Sequence, residues 1–172
     1  MLNVRRAKPY EYEVLTDIAI KSEAYWGNDS DYMEKFKRVY KVTEEFISNN
    51  PTFVIQEDDS IVGFYSVLID DSEVSLEYFF IEPQSIGRGY GKLIWNHLIN
   101  TCRDLSIKEF VIVTSPQAKE FYIKMGAIPF GEVESLLKKG RIIPRLIYAV
   151  NSVDSGISGG MFEGPPSMAD SE

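Results

Sequence analysis

The sequence has one cysteine and one histidine in 172 residues. That excludes an internal disulfide and leaves too few soft ligands for a Cys/His zinc site or a haem thiolate pair, so metal chemistry would rest on carboxylates alone and no metal site is expected. Long apolar runs are missing as well. None approaches the roughly 18 to 20 residues of a membrane-spanning helix, and Met1 to Pro9 carry Arg5, Arg6 and Lys8 where a secretory signal needs an apolar stretch. A cytoplasmic protein with no membrane partner is the expectation. Positive charge is also scarce, with 18 Lys and Arg against 26 Asp and Glu and a formal charge of −8. This balance works against nucleic acid as a partner, because sequence-independent binding draws its affinity from cations set against phosphates. No internal repeat is visible.

What remains is ordinary globular usage, 44% hydrophobic and 26% charged, in a length that suits one domain. The stretch 151–172 is rich in Gly, Ser and Pro and contains four acids with no Lys or Arg, so it is expected to be a flexible acidic tail on a folded body of residues 1–150. Within that body Leu2 to Arg6 forms a strand. Pro9 then opens a helix with Val14, Leu15, Ile18, Ser22 and Tyr25 on one face. Asp29 or Ser30 caps a second helix carrying Met33, Phe36 and Tyr40, and Thr43 to Ser48 gives a third short turn. Three strand-like runs follow, Thr52 to Gln56, Ile61 to Ile69 and Glu73 to Ile81, separated by acidic turns and forming an antiparallel meander. The third is apolar on both faces except at Glu77, as a central strand covered on each side should be.

A glycine turn and a helix from about Tyr90 to Leu105 come next, then a buried strand, Phe110 to Val113. Ser115 and Pro116 are expected to start another helix whose inner face holds Ala118, Phe121, Tyr122 and Met125, and which Gly126 ends. Ile142 to Val150 supplies a last strand. Strand, turn, helix, strand in this order places two strands parallel, so the fold class is α/β with a mixed sheet.

Ile86-Gly87-Arg88-Gly89-Tyr90-Gly91-Lys92 sits between a strand and a helix start, where backbone N–H groups and the helix dipole hold anions. A Walker loop would need glycine at Ile86 and Ser or Thr at Leu93. A dinucleotide fingerprint would need its third glycine at Lys92. Neither pattern is met. The spacing resembles motif A of the GNAT-type N-acetyltransferase superfamily, Arg/Gln-x-x-Gly-x-Gly/Ala, with glycines at Gly89 and Gly91 and a departure at Ile86. Leu76 to Pro83 looks like that family's fourth strand, and Ala118 to Ala127, with Phe121-Tyr122, like the end of its motif B, where the usual Asn is Gln117 here. Ser22 to Gly27 also looks like the front of one bacterial group of small members. The resemblance implies a GNAT-like fold with a mostly antiparallel sheet and one parallel pair at the cofactor site. It implies acetyl-CoA as co-substrate, held by the loop amides of Ile86, Gly87, Arg88, Gly89, Tyr90, Gly91 and Lys92, by the strand residues Phe79, Phe80 and Ile81, and by Gln117 and Tyr122.

Acetyl transfer from a thioester needs a neutral amine. A lysine-like amine of pKa about 10.4 lies roughly 3.4 units above neutrality, a deficit of about 4.6 kcal/mol. Some group must remove its proton. Glu77 is the leading base candidate and is expected to share a face with Phe79 and Ile81; a carboxylate at a wet sheet end or paired with arginine is the competing account, and Glu82 and Tyr78 are weaker alternatives. The family places a tyrosine hydroxyl beside the thiolate leaving group, and the motif carries that role onto Tyr122, which could otherwise be a core residue. A backbone N–H around Ile81 would receive the oxyanion.

His97 and Cys102 lie five positions apart on one helix, about 140° around its axis, so they form no nucleophile pair. Tyr25, Trp26 and Tyr32 either wall an acceptor pocket or fill core, with core favoured. Lys138, Lys139 and Arg141 are expected on a solvated hairpin face. The function indicated is an acetyl-CoA-dependent N-acetyltransferase acting on a small amine by direct attack in a ternary complex, with a non-catalytic acyl-CoA-binding module as the alternative. The acidic balance tilts the acceptor gently towards polycations, and a homodimer is compatible with the sequence.

Overall fold

The structure, a computed structural model, describes residues 1–150; the expected acidic tail at 151–172 lies outside the described residues. β1 (Leu2–Arg6) leads through a short 3-10 turn into α1 (Tyr12–Ala24), followed by α2 (Ser30–Val39) and α3 (Glu44–Asn49). Arg5 anchors this start, because its guanidinium grips both oxygens of Glu11 at 3.1 and 2.8 Å while Glu11 also accepts the Lys8 N–H. Of the two residues expected to cap α2, Asp29 does so, its Oδ1 accepting the Tyr32 N–H at 2.8 Å, and α3 is capped by Thr43, whose Oγ1 accepts the Phe46 N–H at 3.0 Å.

The meander is β2 (Thr52–Glu57), β3 (Ser60–Ile69) and β4 (Val74–Ile81), after which come α4 (Tyr90–Asp104), β5 (Glu109–Val113), α5 (Lys119–Lys124), β6 (Ile128–Glu134) and β7 (Ile142–Ala149). Two elements differ from the sequence reading. Ser115 does not cap α5. The Thr114 N–H is still bonded to the Pro144 carbonyl of β7, and the Ala118 N–H closes a turn on Ser115, so the chain cannot begin to coil until Lys119. β6 was not anticipated, because Pro129 and Gly131 spoil a strand pattern. An edge strand with a bulge tolerates both, and the register of β6 on β7 shifts between those two residues.

The strands form one seven-stranded sheet in the order β1-β2-β3-β4-β5-β7-β6. The pairing of β4 with β5 is parallel, as the strand–turn–helix–strand order requires, and every other pairing is antiparallel. One face buries Val54, Phe64, Tyr78 and Phe80 under α1, α2 and α3. The other buries Tyr65, Phe79, Ile81 and Phe110 under α4 and α5. Each such aromatic contributes on the order of 1.5–3 kcal/mol by leaving water.

Alternation along β4 is broken once. Tyr78 lies opposite Ser66 and Leu76 opposite Val67, so Glu77 is the residue left over in a β-bulge. Leu76 is thereby turned towards the α4 side with Phe79 and Ile81. The charge of Glu77 is felt instead by Tyr40 and Tyr78, on the side of the N-terminal helices. The expected shared face of Glu77 with Phe79 and Ile81 is therefore corrected by the bulge.

β3 and β4 approach so closely at Gly63 that a Cβ there would stand 2.8 Å from the Phe80 carbonyl oxygen and 2.8 Å from Ile81 Cδ1. Gly63→Ala is expected to cost about 1–3 kcal/mol through overpacking. Thermal unfolding followed by circular dichroism should show a melting temperature several degrees lower, and an unchanged value would mean that the strands yield freely.

Candidate active site

The sheet opens where β4 and β5 part. They pair at Ser75 and Val111 alone among the described residues. Beyond that point the direction of the β4 peptide groups follows from the ladder to β3. Gly63 faces Ile81, and the Glu82 N–H bonds the Val62 carbonyl at 2.9 Å, which makes Gly63–Ile81 a non-hydrogen-bonded pair. The N–H and C=O of Ile81, and those of Phe79 two residues back, therefore aim away from β3 and into the gap. The Ile81 carbonyl is met there by the hydroxyl of buried Ser22, at 2.7 Å.

A cavity of about 450 Å³ occupies the opening and is lined from both faces of the sheet, by Phe79 and Tyr122 on one and by Glu23, Tyr32, Tyr40 and Glu77 on the other. Tyr122 is buried, with its ring centroid 5.9 Å from that of Phe79 and 6.0 Å from that of Trp95. The strand and motif B tyrosine that the sequence singled out thus meet. Phe80 turns its ring against Phe36 and Phe64, and by the same alternation its N–H and C=O are spent on β3, so the expected contribution of Phe80 to the gap is corrected: it offers neither free peptide group nor ring there. Gln117 is exposed and off the cavity.

The glycine turn follows directly from the end of β4. Gly87 and Gly89 have φ of +90° and +82°, the left-handed region, and a Cβ at either would meet nothing within 4 Å. The Leu93 N–H bond to the Gly89 carbonyl closes the first turn of α4, so the helix dipole points into an open concavity fit for a diphosphate. Ile86 is half-buried, Tyr90 and Gly91 are buried, and Lys92 is half-buried at this helix start. Arg88 is committed to protein groups: its guanidinium pairs with Glu57 at 3.1 Å and reaches the Tyr90 hydroxyl at 3.4 Å.

Burial governs the titrating groups. Glu77 has its pKa raised by desolvation. Tyr40 is pushed up to about 12 by burial and by the charges of Glu77 and Glu23. Cys102 is buried and likewise pushed up to about 12, and His97, whose Nδ1 lies 2.9 Å from the Tyr65 hydroxyl, is pushed down. Both pack within or beside the α4 core, and they form no pair.

Two residues of the cavity, Glu23 and Arg141, escaped the sequence reading, and a third, Tyr32, is read there as a pocket wall or core with core favoured. Glu23 is 6% exposed and accepts a 2.8 Å hydrogen bond from the Tyr32 hydroxyl; burial raises its pKa, opposed by that bond and by the charge of Arg141. Its signal was available. Leu15, Ile18, Ala19 and Ser22 define the inner stripe of α1, and position 23 is the next on it, so an acid there is a buried carboxylate. Val14 and Tyr25, placed on that stripe beforehand, are exposed. Tyr32 fills core and walls the cavity at once. Arg141, expected on a solvated hairpin, turns inward, with its guanidinium 5.4 Å from the centre of the Tyr32 ring.

Because the folded protein holds the Glu23 proton more tightly than the unfolded chain does, the stability tied to this group is greatest below the unfolded value and falls as pH climbs towards the folded one. The melting temperature of the parent relative to Glu23→Gln should therefore drop as pH rises from about 4.3 and then level off. A difference constant from pH 4 to 8 would contradict the assignment.

No curated protein sequence matches the chain. Among solved structures it resembles the PaiA N-acetyltransferase of Thermoplasma acidophilum in complex with coenzyme A, at 18% identity and TM-score 0.70 over 87% of this chain and 99% of that one. It also resembles yncA of Salmonella typhimurium with its cofactor acetyl-CoA, at 15% identity and TM-score 0.64 over 90% and 97%. A third is an N-acetyltransferase of Staphylococcus aureus, at 16% identity and TM-score 0.65 over 87% and 98%. These likenesses concern the fold. The family profile described as Acetyltransferase (GNAT) domain matches residues 16–138, from α1 through the gap and the glycine turn to the strap beyond β6. By this match the chain belongs to the GNAT acetyltransferase family, whose acyl donor is acetyl-CoA.

Proposed function

We propose that this acetyltransferase moves the acetyl group of acetyl-CoA onto a primary amine by direct attack, with the thioester lying in the gap between β4 and β5. The observation that carries the reading is that gap: strand peptide groups aim into it, an open glycine turn at a helix start follows it, and Tyr122 stands across from Phe79. A diphosphate on the turn and an amide-bearing pantetheine arm along β4 would satisfy both features. Peptide N–H groups left bare in such a slot would each cost about 1–3 kcal/mol.

The chemistry is assigned as follows. The amine arrives protonated and yields its proton to Glu77, directly or through water. Burial makes this carboxylate a stronger base than an ordinary one, which narrows the gap to the amine. The nitrogen lone pair then forms the N–C bond while the carbonyl electrons move to oxygen, and the Ile81 N–H is aimed to receive that charge. Collapse breaks the C–S bond, and the second proton of the attacking nitrogen is lost to solvent water as the amide forms. Proton transfer from a phenol of pKa about 10 to a thiolate of about 8.5 is uphill by roughly 2 kcal/mol, so the Tyr122 hydroxyl is assigned a stabilising hydrogen bond to the leaving sulfur. Phe79 and Ile81 serve through their backbone, and Ile86 to Lys92 hold the anionic end.

Titration calorimetry with coenzyme A tests the foundation. Gly89→Ala forces a side chain into the left-handed region and the open concavity, and should weaken binding at least about tenfold with the fold kept. Full-strength binding to this variant would move the diphosphate elsewhere.

Tyr122→Phe should lower kcat about 10- to 100-fold with acetyl-CoA affinity nearly unchanged, and an unaltered kcat removes it from the reaction. Glu77→Gln should lower kcat/KM about 10²-fold near neutrality and shift the rise of activity with pH upwards, towards the pKa of the amine itself. A variant that binds acetyl-CoA normally but gains no activity at high pH would leave the base elsewhere. Tight binding with no turnover on any amine would instead favour a non-catalytic acyl-CoA-binding module.

A further inference from the structure

The cavity wall carries more charged groups than acetyl transfer needs, and most of its acids already have a protein partner. Glu73 is paired with Arg145 at 2.7 Å, and Glu134 accepts the Gly140 N–H at 2.7 Å. Glu23 accepts from Tyr32. Two charged groups on the wall remain. Glu77 has no hydrogen-bond or ion-pair partner among the described residues. The guanidinium of Arg141, half-buried on the same wall, has none either, and its recorded interactions are the face of the Tyr32 ring and the more distant charge of Glu23.

An arginine in that position is built for an anion. Its planar fork presents five N–H donors, stacking on an aromatic ring fixes the plane, and the edge is left for two parallel bonds to a carboxylate. Glu23 and Tyr32 set the guanidinium without consuming that edge. Meanwhile Glu77 offers one unpaired negative charge on the β4 side, next to the gap. A diamine or polyamine would leave the edge of Arg141 without an anion and bring a second cation into the cavity beside it, whereas a carboxylate answers that edge directly. The feebly acidic composition pointed towards polycations, but the local arrangement of charges points elsewhere.

We propose that the acceptor is a small zwitterion of the amino-acid class, its carboxylate held by Arg141 and its amine delivered to Glu77 beside the thioester. This rests on the transferase reading above and narrows its substrate class. A cavity of about 450 Å³ suits a molecule of that size better than a folded protein surface.

The test uses acetyl-CoA with the standard free amino acids, the carboxamide and decarboxylated amine of each, and putrescine and spermidine, following release of the CoA thiol. The parent protein should turn over at least one free amino acid with kcat/KM about tenfold or more above its carboxamide and its decarboxylated amine. Arg141→Gln should raise KM for that amino acid about 10- to 100-fold, the worth of a charge-assisted bidentate contact, with kcat changed little. The same variant should raise KM for the carboxamide by a clearly smaller factor than for the acid, because the amide accepts from Arg141 without charge assistance, and Arg141→Lys should recover part of the loss. A parent that prefers carboxamides, decarboxylated amines or polyamines overturns the inference and leaves the transferase reading intact. Equal losses for acid and amide in Arg141→Gln also overturn it, because they mark a structural role. Should that variant fail to bind coenzyme A by calorimetry, the preference of the parent decides alone. No turnover of any amine by a protein that binds acetyl-CoA overturns the transferase reading, and this inference with it.

Discussion

The parting of β4 from β5 is the constraint on which the rest of the molecule turns. A sheet normally satisfies its peptide groups strand by strand, and here the ladder stops after Ser75 and Val111 in the middle of a seven-stranded sheet. The groups of Phe79 and Ile81 that would have met β5 point into the gap instead, where Phe79 also lines the cavity. Of these groups, only the Ile81 carbonyl is met by a side chain among the described residues, the hydroxyl of Ser22. A ligand that carries amides can add to such an edge as a strand would, so the interrupted ladder is also the recognition element.

Keeping the gap open takes structure on both faces. Phe79, Trp95, Phe121 and Tyr122 form a cluster of rings with centroids 5.1–6.3 Å apart, which wedges α4 and α5 against the sheet beside the opening. On the opposite face Phe36, Phe64, Tyr78 and Phe80 do the same under the N-terminal helices. The bulge at Glu77 distributes residues between these layers. By adding one residue it turns Leu76 into the first cluster and sends the carboxylate towards the second, so the base candidate and the Tyr122 hydroxyl stand on opposite sides of the sheet with the gap between them.

That division explains which parts of the site could be seen in the sequence. The donor side is written in local patterns: glycines at Gly87 and Gly89 before a helix, an apolar central strand, and Phe121-Tyr122 on a helix face. Each depends on near neighbours in the chain, and the order of elements and the parallel pair followed from the same information. The acceptor side depends on contacts distant in sequence. Arg141 reaches Tyr32 across 109 residues, and nothing in Lys138 to Arg141 itself distinguishes an inward arginine from a solvated one. The bulge was hidden for the same reason, since it is a property of the register between β3 and β4 and not of β4 alone. Glu23 is the exception: an acid on the inner stripe of α1 was legible and was passed over. β6 was obscured by Pro129 and Gly131, residues that only its edge position excuses.

The same division bears on whether the acetyl group pauses on the protein. An acyl-enzyme needs a nucleophile that is ionised or beside a base. The single cysteine, Cys102, is fully buried in the α4 core, and with its thiol pushed up to about 12 only about one molecule in 10⁵ would carry a thiolate at pH 7. Ser22, the buried hydroxyl nearest the end of β4, already donates to the Ile81 carbonyl, and the histidine that would have to activate a nucleophile is engaged with Tyr65 on the far helix. In the proposed reaction thioester and amine enter from opposite faces of the sheet and meet where β4 and β5 part, so the protein needs no covalent relay. What it must supply is the simultaneous presence of both reactants, and a gap open on two sides provides that by geometry.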